Sequence, residues 1–215
     1  MVSQVDQLSS QEILKKSVLS ADLCTGCGAC VNLCPYQVFY HDRTVQLHRC
    51  DLHNGKCRDF CPRSEINLGL LRNVLFDPAD LTPEIGSVKG YYLSRAKDPR
   101  VSKVAQHGGT VTALMELALA EGLIDSALVS AGNRQHEQCG FKATDKASLR
   151  KNAGSKFTVS PTVAAFNQTA AADVGNIGVV ATPCQALALA KMKFKAGKDA
   201  GGSIDKLKIV IGLYC

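Results

Sequence analysis

Seven of the ten cysteines in this chain fall between Cys24 and Cys61, and only Cys139, Cys184 and Cys215 lie outside that window. Asp6, Gln11 and Glu12 stand where an export signal would need a basic start and an apolar run. Thiols at this density without such a signal point to metal or redox chemistry in a reducing cytoplasm before they point to disulfides. The uneven distribution also divides the 215 residues. An N-terminal extension covers 1–20, a cysteine-rich head 21–70, a linker 71–88 and a longer body 89–215. Asp77-Pro78, Thr82-Pro83 and Gly86 discourage regular structure in the linker. With 46% hydrophobic and 20% charged residues, a buried core is attainable and wholesale disorder is excluded. The longest apolar stretches, Ile177–Thr182 and Ile209–Tyr214, are too short to span a bilayer. A net charge of +6 suits anionic partners but falls well short of a nucleic-acid signature.

The first cysteine run, Cys24-Thr-Gly-Cys27-Gly-Ala-Cys30-Val-Asn-Leu-Cys34-Pro35, has the spacing C-x2-C-x2-C-x3-C-P of a bacterial-type ferredoxin half. Three thiolates on one tight loop reach three irons of a single cubane, while Gly26 and Gly28 let the backbone curl. The fourth cysteine of such a run ligates the other cluster in two-cluster ferredoxins. The second run, from Cys50 through His53 to Cys57-Arg-Asp-Phe-Cys61-Pro62, repeats the Cys-x3-Cys-Pro ending. It is an imperfect duplication, with His53 in place of a cysteine and one residue inserted before Cys57. Cross-ligation predicts one 4Fe-4S cluster on Cys24, Cys27, Cys30 and Cys61, and a second on Cys34, Cys50 and Cys57 plus one further ligand.

That further ligand is open: His53, a residue from elsewhere such as Cys184 or Cys215, or a three-iron cluster all fit. Tetrahedral zinc also accepts four closely spaced cysteines, but zinc ribbons normally present paired C-x2-C knuckles without a third cysteine and a trailing Cys-Pro. The spacing favours iron–sulfur. Cys139 reads as an ordinary free thiol.

In the body, Tyr91–Ser94 reads as a strand and Val111–Glu121 as a helix with Gly122 as its C-terminal cap. Ile124–Ser130 reads as the next strand. A helix near Pro161–Ala171, the strand Ile177–Thr182, a helix from Pro183 to about Lys195 and the strand Leu207–Tyr214 follow. This alternation predicts an α/β layered body with a parallel or mixed sheet. Two junctions have the shape of cofactor sites. Gly108-Gly109-Thr110 precedes a helix whose free amides could receive a phosphate, although a simple turn has the same sequence. Thr182-Pro183-Cys184-Gln185 opens a helix directly after a strand, where open α/β sheets bind ligands. Cys184 there is either an activated thiol or a small packing residue.

Several segments together resemble the β subunit of coenzyme F420 hydrogenases and dehydrogenases. They are the double cysteine head, His107–Thr112, Gly122–Asp125, Ala153–Phe157, Ala181–Ala186 and Ile211–Cys215. The group includes the β subunit of some formate dehydrogenases and a plant chlorophyll hydroxymethyl reductase. The resemblance implies a ferredoxin-like head joined to a mixed-sheet α/β flavin-binding domain. It implies FAD, with electrons passing between 4Fe-4S clusters and flavin and a hydride exchanged with the deazaflavin F420 or a similar acceptor. On this resemblance Gly108, Gly109 and Thr110 would hold the flavin phosphates or ring edge. Ser155 and Lys156 would contact the cofactor, and Thr182, Pro183 and Gln185 would line the ring pocket. The basic stretches 142–156 and 191–208 could meet an anionic deazaflavin tail, or be a solvated face.

Implied partners are redox subunits of hydrogenase, formate dehydrogenase or heterodisulfide-reductase type in an anaerobic host. The competing reading is a flavin-free relay built on the same head. The family extends beyond the Ile-Gly-Leu-Tyr-Cys segment on which this sequence stops. The expectation is therefore a truncated body, from a split gene, a degraded gene or a recoded stop.

Overall fold

The structure, a computed structural model, describes residues 8–132, 138–172, 175–196 and 203–215. In the N-terminal extension the Ser9 hydroxyl caps the backbone of Glu12, whose carboxylate returns to the Ser9 amide, starting α1 (Ser10–Leu14). The helix continues as a π-helical turn over Lys15–Leu19, and Leu14 and Val18 turn inward together. The first cysteine loop follows. An antiparallel hairpin comes next, β1 (Gln37–Tyr40) with β2 (Arg43–Gln46), turned by His41 and Asp42, both at positive φ. Then come the short helices α2 (Lys56–Asp59) and α3 (Leu68–Leu75), and a two-residue hairpin of β3 (Leu81–Thr82) and β4 (Gly86–Ser87).

Tyr91–Ser94, predicted as a strand, is not one: these residues lie exposed with no strand beside them. Aromatic and aliphatic residues favour strands by packing on a neighbouring strand, and none flanks this segment.

The body begins with α4 (Pro99–Ser102) and α5 (Thr110–Ala120), followed by β5 (Ser126–Gly132), β6 (Gln138–Ala143) and α6 (Lys146–Lys151). It closes with α7 (Thr162–Ala172), β7 (Ile177–Ala181), α8 (Pro183–Ala196) and β8 (Leu207–Gly212). The four strands form a mixed sheet in the order β6-β5-β7-β8, with β5, β7 and β8 parallel and β6 antiparallel to β5. The predicted mixed α/β body is observed, with β6 and α6 added to the elements read from sequence.

Alternating side chains divide the core between the two faces of this sheet. Ala127, Val129, Ile209 and Ile211 pack with Met115 and Ala118 of α5 and Leu149 of α6. Leu128, Ile177 and Val179 pack on the other face with Val163 and Phe166 of α7 and Ala188, Leu189 and Met192 of α8. Cys27 and Ala29 of the head belong to this second core, so the cysteine loop lies on the outer side of the α7/α8 layer. Among the described residues no helix is long and apolar enough to cross a membrane.

Candidate iron–sulfur and cofactor site

Cys24, Cys27, Cys30 and Cys61 line one cavity, walled by Leu14, Val18, Leu19, Ala29 and Thr44. These are the four cysteines that cross-ligation pairs. Backbone amides point at their sulfurs: Ala29 toward Cys27, and Arg63 and Ser64 toward Cys61. The Thr44 hydroxyl lies 3.2 Å from the Cys30 sulfur. Burial pushes the Cys27 thiol up to about 12, Cys30 higher still, and Cys61 upward as well. Thiols held protonated in this way give up their protons to a bound cation, and the amides then face thiolate sulfur. Among the described residues no three His, Cys, Asp or Glu side chains converge tightly enough for a single metal ion. Four thiols gathered into one cavity from a C-x2-C-x2-C-x3-C-P run and a distant Cys-Pro are a donor set that fits a 4Fe-4S cluster.

The body holds this loop directly. Asn167 of α7 donates from Nδ2 to the carbonyls of Ala29 (3.1 Å) and Val31 (2.7 Å), and the Val163 amide donates to the Cys27 carbonyl (3.2 Å). Asn32 returns the bond, donating to the Ala164 carbonyl (3.1 Å). Gly28, at φ +80°, lies so close to α7 that a Cβ there would stand 2.8 Å from the Ala164 nitrogen. From α8, Lys191 donates to the Cys61 carbonyl (2.6 Å) and the Ser64 hydroxyl (2.7 Å). Burial pulls the Lys191 ammonium below the usual lysine range, while Cys61 and Asp59 oppose that shift. Lys191 therefore is not part of a solvated basic face, as the 191–208 stretch suggested; residues 197–202 of that stretch lie outside the described residues. Neither Asn167 nor Lys191 carries a local sequence signal of this role.

The second group is assembled within the head. Cys57 is half-buried, its thiol raised by burial and raised further by its neighbours Cys34 and Cys50. Gln37 of β1, only 3% exposed, donates to the Cys57 sulfur, and its Oε1 is buried without a hydrogen-bond partner. Cys34 is exposed, and the Cys50 amide is held by Gln11 Oε1 at 2.9 Å. His53 is exposed, with Nδ1 3.1 Å from the Leu8 carbonyl.

The predicted cofactor residues occupy the body. Gly109 is left-handed (φ +73°) and opens α5 with no side-chain cap, leaving the first-turn amides of an 11-residue helix uncapped. Thr110 Oγ1 pairs with the Ser94 hydroxyl at 2.9 Å. The loop of Ser155 and Lys156 lies beside this junction, because the Ser155 amide donates to Gln106 Oε1 (3.2 Å); Lys156 Nζ bonds the Ala153 carbonyl. Thr182 and Pro183 leave the carboxyl end of β7 and open α8. Gln185 is buried, accepting from the Thr182 amide (2.9 Å) and donating to the Ser160 carbonyl (2.7 Å). Cys184 packs against the core that contains Cys27, so the start of α8 abuts the first cysteine cavity. Uncapped amides at α5 fit a phosphate-bearing cofactor.

Residues 91–167 match the family described as coenzyme F420 hydrogenase/dehydrogenase, beta subunit N-term, and residues 18–40 match the 4Fe-4S binding domain. Over these two segments the chain is similar to the F420 hydrogenase/dehydrogenase beta subunits and to 4Fe-4S binding domains. It is 31% identical to the coenzyme F420 hydrogenase subunit beta of Methanothermobacter thermautotrophicus, over 61% of this chain and 47% of that protein. It is 25% identical to the coenzyme F420-dependent sulfite reductase of Methanocaldococcus jannaschii, over 92% of this chain and 31% of the other. Among solved structures, the F420-reducing [NiFe] hydrogenase complex of Methanosarcina barkeri contains a chain of TM-score 0.52 and 27% identity, covering 59% of this chain and 45% of that one. The chain thus spans about half or less of the length of these relatives.

Proposed function

We propose that this chain is an iron–sulfur flavoprotein subunit of an oxidoreductase. It would pass electrons between 4Fe-4S clusters and FAD and exchange a hydride with coenzyme F420 or a similar acceptor. The observation that carries this reading is the contact between the Cys24/Cys27/Cys30/Cys61 cavity and α8, whose first residues follow the carboxyl end of β7. Clusters supply single electrons, and a flavin supplies the conversion between one-electron and two-electron carriers.

The chain's own residues do the rest. Half-buried Cys24 and the buried Cys27, Cys30 and Cys61 would hold iron, and the amides of Ala29, Arg63 and Ser64 would offset thiolate charge. Asn167 fixes the loop against α7. The α5 amides with Gly108, Gly109 and Thr110 would hold the cofactor phosphates. Ser155, Lys156, Thr182, Pro183 and Gln185 would border its ring, with Gln185 setting the start of α8 through its bonds to Thr182 and Ser160. Cys34, Cys50 and Cys57 would hold a second cluster nearer the surface, on the side open to a partner subunit. The names of the relatives support a complex of hydrogenase or dehydrogenase type as that partner, and exposed, oxidisable thiols suit a reducing, anaerobic cytoplasm.

Anaerobic purification with iron, sulfide and released-flavin quantification tests the reading. About eight irons per chain with FAD, followed by F420 reduction, is the expected result. Iron without flavin would favour the flavin-free relay, and a colourless zinc protein would overturn both.

A further inference from the structure

Lys191 raises a physical question that electron transfer as described leaves unanswered. The residue is 5% exposed, and its polar contacts among the described residues are to neutral groups: the Cys61 carbonyl, the Ser64 hydroxyl and, at 3.4 Å, the Ser64 carbonyl. Among the described residues no ion pair involves it, and the nearby Asp59 is engaged by Lys195 at 2.9 Å. An ammonium buried with no carboxylate in contact is unfavourable. Cys61, whose carbonyl Lys191 holds, would bring negative charge beside it: a cluster on four thiolates is a net anion, and one electron more negative when reduced.

We propose that Lys191 is the counter-cation of the Cys24/Cys27/Cys30/Cys61 cluster, a positioning residue that raises the cluster's reduction potential from inside α8. Helix geometry brings it there. Cys184, Ala188 and Lys191 follow the i, i+4, i+7 spacing of one helical face. Cys184 and Ala188 pack in the core that contains Cys27, and Lys191 reaches Cys61. The helix that begins at the candidate cofactor residues Thr182, Pro183 and Gln185 therefore carries a charge to Cys61. A cation here stabilises the more negative, reduced state, because burial weakens the screening that water would provide.

The inference rests on the cluster reading of Cys24, Cys27, Cys30 and Cys61, and the two fail separately. Absence of iron from the wild-type protein defeats the cluster; an unshifted potential in an iron-loaded variant defeats only Lys191. The test is a potentiometric titration of the full, reconstituted chain, followed by electron paramagnetic resonance, for wild type, Lys191→Gln, Lys191→Met and Lys191→Arg. Glutamine keeps a hydrogen-bond donor and removes the charge, so it separates tuning from mere tethering. Lys191→Gln should disfavour reduction of this cluster about tenfold, a downward shift of about 59 mV for one electron. Lys191→Met should do at least as much and Lys191→Arg should stay within about twofold of wild type. A Lys191→Gln protein that keeps the wild-type potential, or one that fails to hold the cluster, overturns the proposal.

Discussion

The two cysteine groups come from a duplicated motif, yet they are built into the molecule differently. Cys24, Cys27, Cys30 and Cys61 sit at the seam with the body, where α7 and α8 supply hydrogen bonds, a buried cation and part of the core. Cys34, Cys50 and Cys57 depend on Gln11 of the extension and Gln37 of the head, and Cys34 reaches the surface. The repeated motif supplies two sets of thiols; the contacts of each set decide which is built into the seam and which lies open toward the surface.

The largest effect should separate the groups outright. Cys61→Ser is expected to remove the seam cluster, about half of the iron, and much of the soluble protein, because it leaves three thiols, two of them buried, without their metal. Cys57→Ser should also lose iron while leaving the seam cluster's paramagnetic signal and the yield intact. Equal loss of soluble protein in the two variants would break the comparison.

Gly28→Ala comes next. A left-handed backbone costs an L-residue about 1–2 kcal/mol, and the contact with Ala164 adds overpacking of about 1–3 kcal/mol. Gly86→Ala, at φ +84° with nothing near its Cβ, should lose only the first part. Denaturant midpoints of the two variants isolate the seam contact as their difference. Asn167→Ala leaves the Ala29 and Val31 carbonyls without their donor and should destabilise by about 1–3 kcal/mol, read the same way. Gln37→Leu should change stability least, within about 1 kcal/mol, because it removes an already unpaired oxygen along with the donor to Cys57. Its signature should be a shift in the spectrum of the outer centre alone.

Much of this architecture was legible because it depends on local spacing. The cysteine runs, the apolar runs that became β5, β7 and β8, and the helical stripe of α5 each declare themselves within about a dozen residues. β6 did not: Gln138–Ala143 lacks alternation and becomes a strand because β5 lies beside it. α6 is six residues long and is fixed by the Asp145–Ser148 capping box rather than by periodicity. Tyr91–Ser94 failed for the converse reason, strand-favouring residues with no strand to pair with. Asn167 and Lys191 look like ordinary polar positions on helices; their burial exists only once head and body meet. The candidate cofactor residues were legible through resemblance, since glycines before a helix and a proline at its first turn are common features of turns.

The Asn167 bonds also have a consequence in time. They join residues 136 and 138 positions apart in sequence. At a synthesis rate of about 5–20 residues per second, the first cysteines emerge on the order of ten seconds before the side chain that fixes their loop. During that interval the thiols are made, reduced and unsupported, so iron delivered at the ribosome meets a loop that has not reached its final shape. Maturation of a seam centre is therefore expected only after α7 and α8 have been made, and a factor that guards or loads these thiols would act once both helices are present.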